Sequence, residues 1–564
     1  MFLNFIARKL RFWGNRLRFQ EPEQGAVPAG DAGGAGEPEN GGGKKEEPPK
    51  DTITKSQSAN VSLLKSMLSN SGDLKIHSFK FGPDEQFSAT LLFIDGLVNS
   101  EILTQGILRP LKDWTPKKVD LEDGRDLTAE LNEKAVCIGE TEVVNTLSDL
   151  LAGCLAGDTS IVVDGCETGL VVSTKGWDKR SVSEPQSETV VRGPREGFTE
   201  NIRTNTALIR RKIRNGKLRL ENMMVGEKTR TDICLMYIEG VADPRVIREV
   251  KYRIGNLDID SVLESGYIEE YIEDAPFSPF ATVGFTEKPD VVAGRILEGR
   301  IAIVVDGTPF VLTAPMLFVE SFQTAEDYYV RPLYASIIRI VRYLGYLITI
   351  YAPAVYIALT DFHQELIPTT LLFTIADARE GTPFPVLIET LIMVFAYEIL
   401  REAGIRLPRP VGQAIGIVGA LIMGDAAVSA GLVGAPVVII IALMAVSGFL
   451  VPMQNDSSSI LRIVMMLLAS FAGWYGISMG FMALLMHLGS LSSFGVPYFD
   501  GFAWTRNLED SIVRLPLWTM VKRPRDIAYR DVTRRKFFIP PLRPYETEEL
   551  AGSVPESEEP HEEA

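Results

Sequence analysis

Histidine and cysteine are both scarce in this sequence, with four of each among 564 residues. The histidines lie far apart, so a zinc site has almost no support. The cysteines show no paired spacing of the kind that binds metal. The N-terminus lacks the features of a secretory signal, so we expect reduced, packed thiols rather than disulfides. The residues concerned are Cys137, Cys154, Cys166 and Cys234, and His77, His363, His487 and His561.

Recognisable catalytic arrangements are absent as well. The sequence contains no P-loop and no serine–histidine–aspartate or cysteine–histidine spacing that favours a nucleophilic enzyme. Four acidic residue–glycine pairs follow apolar runs, and carboxylates at strand ends can bind ligands. No histidine, phosphate-binding glycine loop or metal cluster accompanies them, so we interpret them as turns. We therefore expect neither an enzyme nor a cofactor.

The N-terminal residues 1–19 interleave aromatic and basic side chains, as at Phe12, Trp13 and Arg16. This pattern is typical of a helix that lies on an anionic lipid surface, and a frayed basic tail is an equal alternative. Residues 20–52 are rich in glycine, proline and glutamate. Such a segment has too little apolar surface to offset its ordering entropy, so we predict a disordered linker.

The region after this linker contains a distant internal repeat. One apolar strand ends at Asp95-Gly96, and a second ends at Glu239-Gly240, 144 residues later. Hairpin turns follow at Asp164-Gly165 and, 142 residues further on, at Asp306-Gly307. Because glycine adopts a positive φ without cost, Asp-Gly between β-branched runs is a strong turn signal. We predict two related α/β subdomains.

The second half of the chain contains apolar runs long enough to cross about 30 Å of hydrocarbon. Four of them have the composition of full spans, and a fifth at 384–400 is interrupted by two glutamates. The four spans are predicted at 335–359, 411–430, 434–452 and 462–489.

The predicted organisation is thus a soluble α/β N-terminal half followed by an all-α polytopic transmembrane domain and a charged tail. Its segments are the subdomains 53–185 and 190–325, the membrane domain 333–489, a basic cytoplasmic tail 490–545 and an acidic disordered end 546–564.

The number of spans stays open. The basic tail and the soluble half, which has no export signal, both belong in the cytoplasm, and this requires an even number of crossings. Four spans with 384–400 interfacial or re-entrant satisfy that requirement. Five spans would instead keep Arg401, Arg406 and Arg409 inside and export the tail.

The fifth apolar run carries Glu389 and Glu398. We expect them to share much the same face of a helix and to face protein or water, because an isolated carboxylate in lipid costs on the order of 2–4 kcal/mol. Two interpretations stay open. The carboxylates could attract cations at a pore or partner interface. Alternatively, the segment could be interfacial, or it could simply pair the carboxylates with Arg401 and Arg406.

The run at 411–430 is unlike a lipid-facing helix. Its glycines have the small-residue spacing that lets backbones approach closely, and polar residues lie among them. The run is predicted either to line a pore or to pack tightly inside one subunit. Asp425, near its end, could concentrate cations or could lie among headgroups. The residues that carry this pattern are Gly412, Gln413, Gly416, Gly419, Gly424, Asp425 and Ser429.

A strongly basic stretch, RGPREGFTENIRTNTALIRRKIRN, spans 192–215. It lacks the interleaved aromatic residues of a nucleic-acid-binding patch, so we expect no nucleic-acid partner. Its charges are expected to join subunits or to approach the membrane surface. The assembly candidates are Arg192, Arg195, Glu196, Arg203, Arg210 and Arg211.

Several blocks, in order, resemble the A-subunit family of GerA-type spore germinant receptors over about residues 55–525. The most specific block is SVSEPQSETVVRGPREGFTENIRTNTALIRRKIRN. Further blocks are GYIEEYIEDAPFSPF (266–280), EKPDVVAGRILEGRIAIVVDGTPFVL (287–312), IALTDFHQELIPTTLL (357–372), AREGTPFPVLIETLIMVFAYEILREAGIRLPRPVGQAIGIVGALIMG (378–424) and SLSSFGVPYFDGF (490–502). The strings VDGTPFVL, EDYY and FHQE favour the receptor subunits over the related stage V sporulation protein AF.

This resemblance implies a multi-pass protein of the spore inner membrane whose soluble half faces the spore core. It implies three kinds of contact: a permease-like B subunit that takes the nutrient, a lipoprotein C subunit, and further copies of the chain, expected as a pentamer within membrane lipid. The oligomer would be a nutrient-gated channel that releases monovalent cations. Gln413, Gly416, Val418, Gly419 and Asp425 are the pore or helix-packing candidates.

Three other functions are alternatives to a nutrient-gated channel. The chain could be a non-conducting scaffold for the permease-like partner, or a channel of the stage V protein AF type. A secondary transporter is disfavoured, because no inverted repeat is visible in the membrane half.

Overall fold

The computed structural model describes most of the chain beyond residue 50. The described residues are 51–69, 71–82, 85–114, 127–128, 131–132, 140–176, 185, 188–406, 424–499, 508–524, 527–529, 531 and 533–534. The predicted lipid-surface segment 1–19, nearly all of the linker 20–52 and the acidic end 546–564 lie outside them.

The first subdomain is a five-stranded antiparallel sheet in the order β1-β2-β4-β5-β3. The interior strand β2 is buried on both faces, which matches its almost continuous apolar sequence, whereas β1 is an edge strand with exposed charges. Helices α1 and α3 pack on one face and α2 on the other. The elements are α1 (Gln57–Met67), β1 (Leu74–Phe81), β2 (Phe87–Ile94), α2 (Ser100–Ile102, the π-helical Leu103–Leu108 and Arg109–Asp113), β3 (Thr141–Val144), α3 (Leu147–Ala156), β4 (Thr159–Val163) and β5 (Gly169–Val172).

The second subdomain repeats this arrangement in the order β6-β7-β9-β10-β8, again antiparallel throughout. Helices α4 and α7 cover one face of the sheet, and α5 and α6 cover the other. The elements are α4 (Ile202–Lys212), β6 (Leu218–Val225), β7 (Thr231–Ile238), α5 (Pro244–Gly255), α6 (Ser265–Ile272), β8 (Gly284–Thr286), α7 (Pro289–Glu298), β9 (Ile301–Val305) and β10 (Val311–Ala314).

The predicted turns are confirmed at all four acidic residue–glycine pairs. Gly96 and Gly240 end the equivalent strands β2 and β7 with φ of 84° and 85°, and Gly165 and Gly307 close the two hairpins with φ of 84° and 88°. These left-handed values favour glycine because they cost other residues energy.

The three cysteines that the structure describes confirm the expectation of packed, reduced thiols. Cys154, Cys166 and Cys234 are free and buried, whereas Cys137 lies outside the described residues. Burial raises the pKa of both the Cys154 and the Cys166 thiol to about 11, so these groups stay protonated at neutral pH.

The second half of the chain is helical. Proline at the first position of α8 fits a helix start, since its missing N–H would have no partner there. The helices are α8 (Pro332–Asp361), α9 (Thr369–Arg379), α10 (Val386–Arg406), α11 (Ala435–Gly448), α12 (Asn455–Ser490) and the short α13 (Leu508–Ser511). Residues 424–429 are also helical.

Two stretches in the described part of the chain are long and apolar enough to cross a membrane, Pro332–Asp361 and Pro452–Ser490. Helix α11 is as apolar but has only 14 residues. The predicted span at 411–430 lies mostly outside the described residues.

Helix α12 reverses direction at Gly473, which corrects the prediction of one continuous span at 462–489. Gly473 has φ 57° and ψ −134°, far from helical values. A side chain added at Gly480 would come within 2.6 Å of the Met465 sulfur and 2.9 Å of Leu468. In a straight helix residues 465 and 480 would be about 22 Å apart. The helix is therefore a hairpin of two antiparallel arms, which we name α12a (455–472) and α12b (474–490).

The helices form a bundle. We call the end that lies against the sheets the proximal end, and the opposite end the distal end. Gln454 donates to the Ser321 hydroxyl at 2.7 Å, and the His487 ring lies 2.9 Å from the Ser278 hydroxyl, so both ends of the hairpin are proximal. Its tip at Gly473 lies against Phe362, which follows α8, so α8 runs from the proximal to the distal end. The chain thus enters and leaves the bundle on the same side.

Candidate functional site: the helical bundle and its junction with the sheets

The outer surface of the bundle is apolar. Many apolar side chains on the outward faces of α8, α10, α11 and both arms of α12 are exposed. Apolar patches of this extent mark surfaces that lipid or another protein covers. Examples are Leu333 (83% exposed), Phe395 (68%), Ile439 (67%), Val446 (66%), Phe471 (82%) and Met479 (68%).

Glu389 lies inside the bundle towards its distal end. It is fully buried, and one carboxylate oxygen accepts a hydrogen bond from the backbone N–H of Gly434, just before α11. The other oxygen lies 3.8 Å from Arg379 Nε, at the end of α9. Glu389 therefore fixes the start of α11 beside α9 and α10.

Glu398 belongs to a second polar cluster, between α10 and α12a. Its carboxylate lies 2.7 Å from Arg401 Nη2 and 3.2 Å from Arg462 Nη2, and it accepts a hydrogen bond from Ser459 at 3.1 Å. Arg462 is 1% exposed. Arg406 pairs instead with Glu402 at 2.6 Å. The cluster contains two cations and one anion, so it carries one net positive charge.

The expectation that Glu389 and Glu398 share a face is wrong. Nine residues at 3.6 per turn correspond to two and a half turns, so the two side chains leave the helix in opposite directions. Glu389 meets α9 and the start of α11, whereas Glu398 meets α12a. Each carboxylate has a cation of the same chain beside it.

The pore candidates are placed only in part. Gln413, Gly416, Val418 and Gly419 lie outside the described residues. Asp425 lies in the helical residues 424–429 and is exposed. Gly431, which follows this helix, lies against the backbone of Gly381 in the distal connection between α9 and α10.

A buried network of charges joins the start of α8 to the tail. Arg339, which is fully buried, donates to Asp327 at 2.9 Å and lies 3.0 Å from Asp510 of α13. Arg342 donates to Asp327 at 2.8 Å. Burial alone would raise the pKa of Asp327, but the hydrogen bonds from Arg342 and Arg339 outweigh it and hold that pKa below its usual value.

Part of the predicted basic tail 490–545 packs against the rest of the chain. Asp510 binds Arg339, and Arg523 donates from Nε to the carbonyl of Leu297 at 2.8 Å. The sequence analysis missed Asp510, an acidic residue among basic ones, which is the partner of the buried Arg339.

Aromatic side chains fill the space between the second sheet and the bundle. Phe318 packs edge-on against Phe280, Tyr346 and Tyr498, at ring-centroid distances of 5.9, 6.2 and 5.9 Å. Phe322 stacks on Tyr343 at 4.2 Å. These rings come from the sheet domain, from α8 and from the segment after α12, so a displacement of α8 has to disturb the sheet domain.

Arg210 differs from its expected role as a subunit contact. It is fully buried and binds Asp73 through two parallel hydrogen bonds of 2.9 Å each. It also donates to the Ser71 hydroxyl at 3.0 Å and to the carbonyls of Asn215 and Leu218. Asp73 belongs to the first subdomain and Arg210 to the second, so this pair joins the two subdomains of one chain.

The other assembly candidates lie at the surface or partly exposed. Arg203 lies 3.4 Å from Asp95, and Arg211 lies 3.3 Å from Glu196. Arg192 and Arg195 are exposed on the segment before α4. They remain candidates for contacts with other subunits or with the membrane surface.

Metal binding has no support in the described part of the chain, where no group of three or more histidine, cysteine or acidic side chains is positioned to hold an ion.

An exposed apolar bundle on two repeated sheets defines a class of membrane-associated protein with a large α/β N-terminal part. A family model described as Bacillus/Clostridium GerA spore germination protein matches residues 62–526. The chain belongs to this family, which confirms the resemblance stated above.

Individual relatives agree with this assignment. Spore germination protein KA of Bacillus subtilis (strain 168) is 44% identical over 86% of this chain and 89% of its own length. Spore germination protein GerLA of Bacillus cereus is 38% identical over 79% of this chain and 90% of its own length. An uncharacterized membrane protein, YfkQ, of Bacillus subtilis (strain 168) is 43% identical over 80% of this chain and 87% of its own length.

Among solved structures, the N-terminal domain of the A subunit of the Bacillus megaterium spore germinant receptor GerK3 is 39% identical to this chain. It covers 47% of this chain and 97% of its own, with a TM-score of 0.38.

Proposed function

We propose that this chain is the A subunit of a nutrient germinant receptor in the spore inner membrane, and that copies of it form a channel for monovalent cations. The partners would be a permease-like B subunit, which binds the nutrient, and a lipoprotein C subunit. The copies would form a ring, expected to be a pentamer, with the soluble half in the spore core. The observation that carries the proposal is an apolar bundle exposed on its outer surface in a chain of the GerA family.

The segment around Gln413, Gly416, Val418 and Gly419, which lies outside the described residues, is the proposed pore lining. Two features of the described residues support this choice. Glu389 and Glu398 are engaged within the chain, so α10 offers no unpaired carboxylate to a conduit. Asp425, in contrast, is exposed and lies at the end of the small-residue run, where it could concentrate cations.

The gate would be biased by the B subunit through a difference in affinity for the closed and open states. A ligand shifts such an equilibrium only by that difference, and a few kcal/mol suffice. The aromatic and charged contacts between α8 and the sheet domain would carry the change to the soluble half, because they are packed on both sides.

A non-conducting scaffold is the second candidate. The pairing of Glu389 and Glu398 within the chain is equally compatible with a scaffold, since carboxylates paired inside the chain stabilise the fold whether or not ions pass. A scaffold needs only the apolar outer surface to hold a permease-like partner.

Potassium flux separates the two functions. The full chain is reconstituted into liposomes, and potassium release is compared between wild type and Val418→Ala, which removes two methyl groups from the proposed constriction. We expect faster release from the variant if the segment closes the pore. Val446→Ala, the same change on the exposed face of α11, is the control and should match wild type.

Equal potassium release from all three proteins, with equal amounts incorporated, would contradict the channel and favour the scaffold. Asp425→Asn tests the cation preference separately. It should lower the ratio of potassium to chloride flux if Asp425 faces the ion path.

A further inference from the structure

The second subdomain carries exposed aromatic side chains on the side where it meets the bundle. Tyr252 of α5, Tyr271 of α6 and Phe277 in the loop after α6 are 69%, 59% and 96% exposed. We call these three residues the aromatic rim. A group of large apolar side chains at a surface marks a place that lipid or another protein covers.

Contacts of the adjacent residues place the aromatic rim close to the proximal end of the bundle. Arg253, which follows Tyr252, lies 2.6 Å from Asp274, and its guanidinium lies 4.6 Å from the ring of Phe494, just after α12b. Asp274 also accepts a hydrogen bond from the backbone N–H of Phe494. The C-terminal ends of α5 and α6 therefore both lie next to the chain that leaves the bundle.

Phe277 lies beside a direct contact with the bundle. The hydroxyl of Ser278, the next residue, lies 2.9 Å from the ring of His487, in the last turn of α12b. Met486, which precedes this histidine, is 69% exposed on the outer surface of the bundle. Exposed apolar surface therefore continues from α12b, across this contact, to Phe277.

The loop that presents Phe277 is ordered by its own residues. Pro276 and Pro279 flank the phenylalanine in the block GYIEEYIEDAPFSPF, and the ring of each proline fixes its φ near −65°. The Ser278 hydroxyl accepts a hydrogen bond from the backbone N–H of Phe280 at 3.2 Å. The Phe277 ring is thus held outward although it packs against almost nothing in the described part of the chain. The function proposed above does not use this block.

The charges next to the aromatic rim do not favour anionic lipid. Arg253 is shared between Glu249 and Asp274, at 2.8 and 2.6 Å, and Glu270, beside Tyr271, is exposed. Contact with a membrane therefore depends on the rings, which a zwitterionic lipid surface accommodates. A lipid surface is favoured over a second copy of the chain, because the rim lies at the level where the exposed apolar surface of the bundle begins.

We propose that the aromatic rim anchors the second subdomain to the membrane surface. Phe277 inserts its ring at the boundary between headgroups and acyl chains, and Tyr252 and Tyr271 lie among the headgroups. Aromatic side chains suit this depth because it offers apolar contact to a ring and water to a hydroxyl. The anchor rests on the membrane bundle of the proposed function, but not on conductance, nutrient binding or a partner subunit.

Nitroxide labels on single cysteines measure this depth in the full chain in phosphatidylcholine nanodiscs. The depth parameter is the logarithm of the ratio of collisions with oxygen, which enters lipid, to collisions with a nickel chelate, which stays in water. Phe277→Cys should give a positive value, and Tyr252→Cys and Tyr271→Cys should give smaller ones. Leu263→Cys is the control and should give a negative value, because Leu263 is apolar and 65% exposed but precedes α6 at the end away from the bundle. All variants carry Cys137→Ser, and the three other cysteines are buried.

Met479→Cys, on the exposed face of α12b, is the reference for a label in hydrocarbon. If Met479 gives a positive depth parameter while Phe277 and Leu263 give equal values, the anchor is wrong and the proposed function is untouched. A label at Phe277 that meets neither oxygen nor the nickel chelate, and whose spectrum shows spin–spin broadening, would mean that a second copy covers the rim, which also overturns the anchor. A negative value at Met479 would overturn the membrane bundle and the anchor with it.

Discussion

At the scale of single residues, Arg210 shows how one buried charge can hold two subdomains together. Its guanidinium and the Asp73 carboxylate are 0% and 5% exposed and form a two-point contact. Arg210→Ala leaves Asp73 buried without its cation, and a loss of this kind costs about 3–5 kcal/mol. We expect a lower melting temperature for the full chain in detergent and faster proteolysis between the subdomains.

The exposed pair of Arg203 and Asp95 provides the matched control. Its side chains are 49% and 34% exposed, so Arg203→Ala should cost less than about 1 kcal/mol. The double variant Arg210→Met with Asp73→Leu should recover part of the lost stability, because no charge is then left unpaired. Equal effects of Arg210→Ala and Arg203→Ala would contradict the assignment.

Glu269 on α6 makes stability depend on pH. Burial, followed by repulsion from Glu273 and Glu264, raises the pKa of its carboxyl from 4.5 to about 7. A carboxyl with a raised folded-state pKa favours the folded state at low pH, and this contribution is lost as the pH rises from about 4.5 to 7. Glu269→Gln should therefore raise the free energy of unfolding at pH 8 by on the order of 2 kcal/mol, and with it the melting temperature. At pH 4.5 the substitution should leave the melting temperature unchanged.

The exposed neighbour Glu270 is the control for this measurement, because its substitution by glutamine removes the same charge from the surface of α6. It should change the melting temperature little at either pH. A Glu269→Gln effect that is equal at both pH values would show that ionisation of Glu269 is not its cause.

At the scale of elements, the hairpin of α12 depends on Gly473. Its φ of 57° is unfavourable for other residues, and a Cβ at this position would lie 2.8 Å from Phe362. Cysteines placed at Met465 and Gly480 should cross-link in the wild-type background. Adding Gly473→Leu should abolish the cross-link, because a straight helix separates these positions by about 22 Å.

Gly489→Leu is the control, since an added Cβ there meets nothing within 4 Å and the cross-link should remain. A cross-link that survives Gly473→Leu would mean that the packing of the two arms, rather than the glycine, sets the reversal.

The elements also show what the sequence could and could not predict. The acidic residue–glycine pairs predicted four turns because their local chemistry is sufficient. The apolar run 335–359 predicted α8 for the same reason. The reversal at Gly473 gave no such signal, because the run stays apolar on both sides of it.

The candidate site was harder to predict, because its contacts are distant in sequence. Arg210 and Asp73 are 137 residues apart, and Arg339 and Asp510 are 171 apart. A basic stretch looks the same in sequence whether its arginines lie at the surface or in the interior. Only the three-dimensional pairing separates Arg210, which is internal, from Arg192 and Arg195, which are exposed.

At the scale of the whole molecule, the contacts of the tail constrain the topology. Asp510 binds Arg339 at the start of α8, so the chain after α12 returns to the side of the sheets. An even number of membrane crossings, which the charges predict, would likewise return the chain to this side. The structure brings the chain back through the hairpin at 455–490, and it places α10 and α11 with their C-terminal ends proximal.

The predicted topology can be tested with cysteines at Ile405 and Leu432, both exposed. Ile405 is near the proximal end of α10, whereas Leu432 precedes α11 at the distal end, so the two should lie on opposite sides of the membrane. An impermeant thiol reagent applied to intact cells should label position 432 and leave 405 unlabelled until the membrane is opened. Cys154, Cys166 and Cys234 are buried and should add little background, and a variant with Cys137 replaced by serine controls for that residue. Labelling of both positions from the same side would mean that α10 and α11 do not cross the bilayer, and the bundle would then lie on the membrane instead of through it.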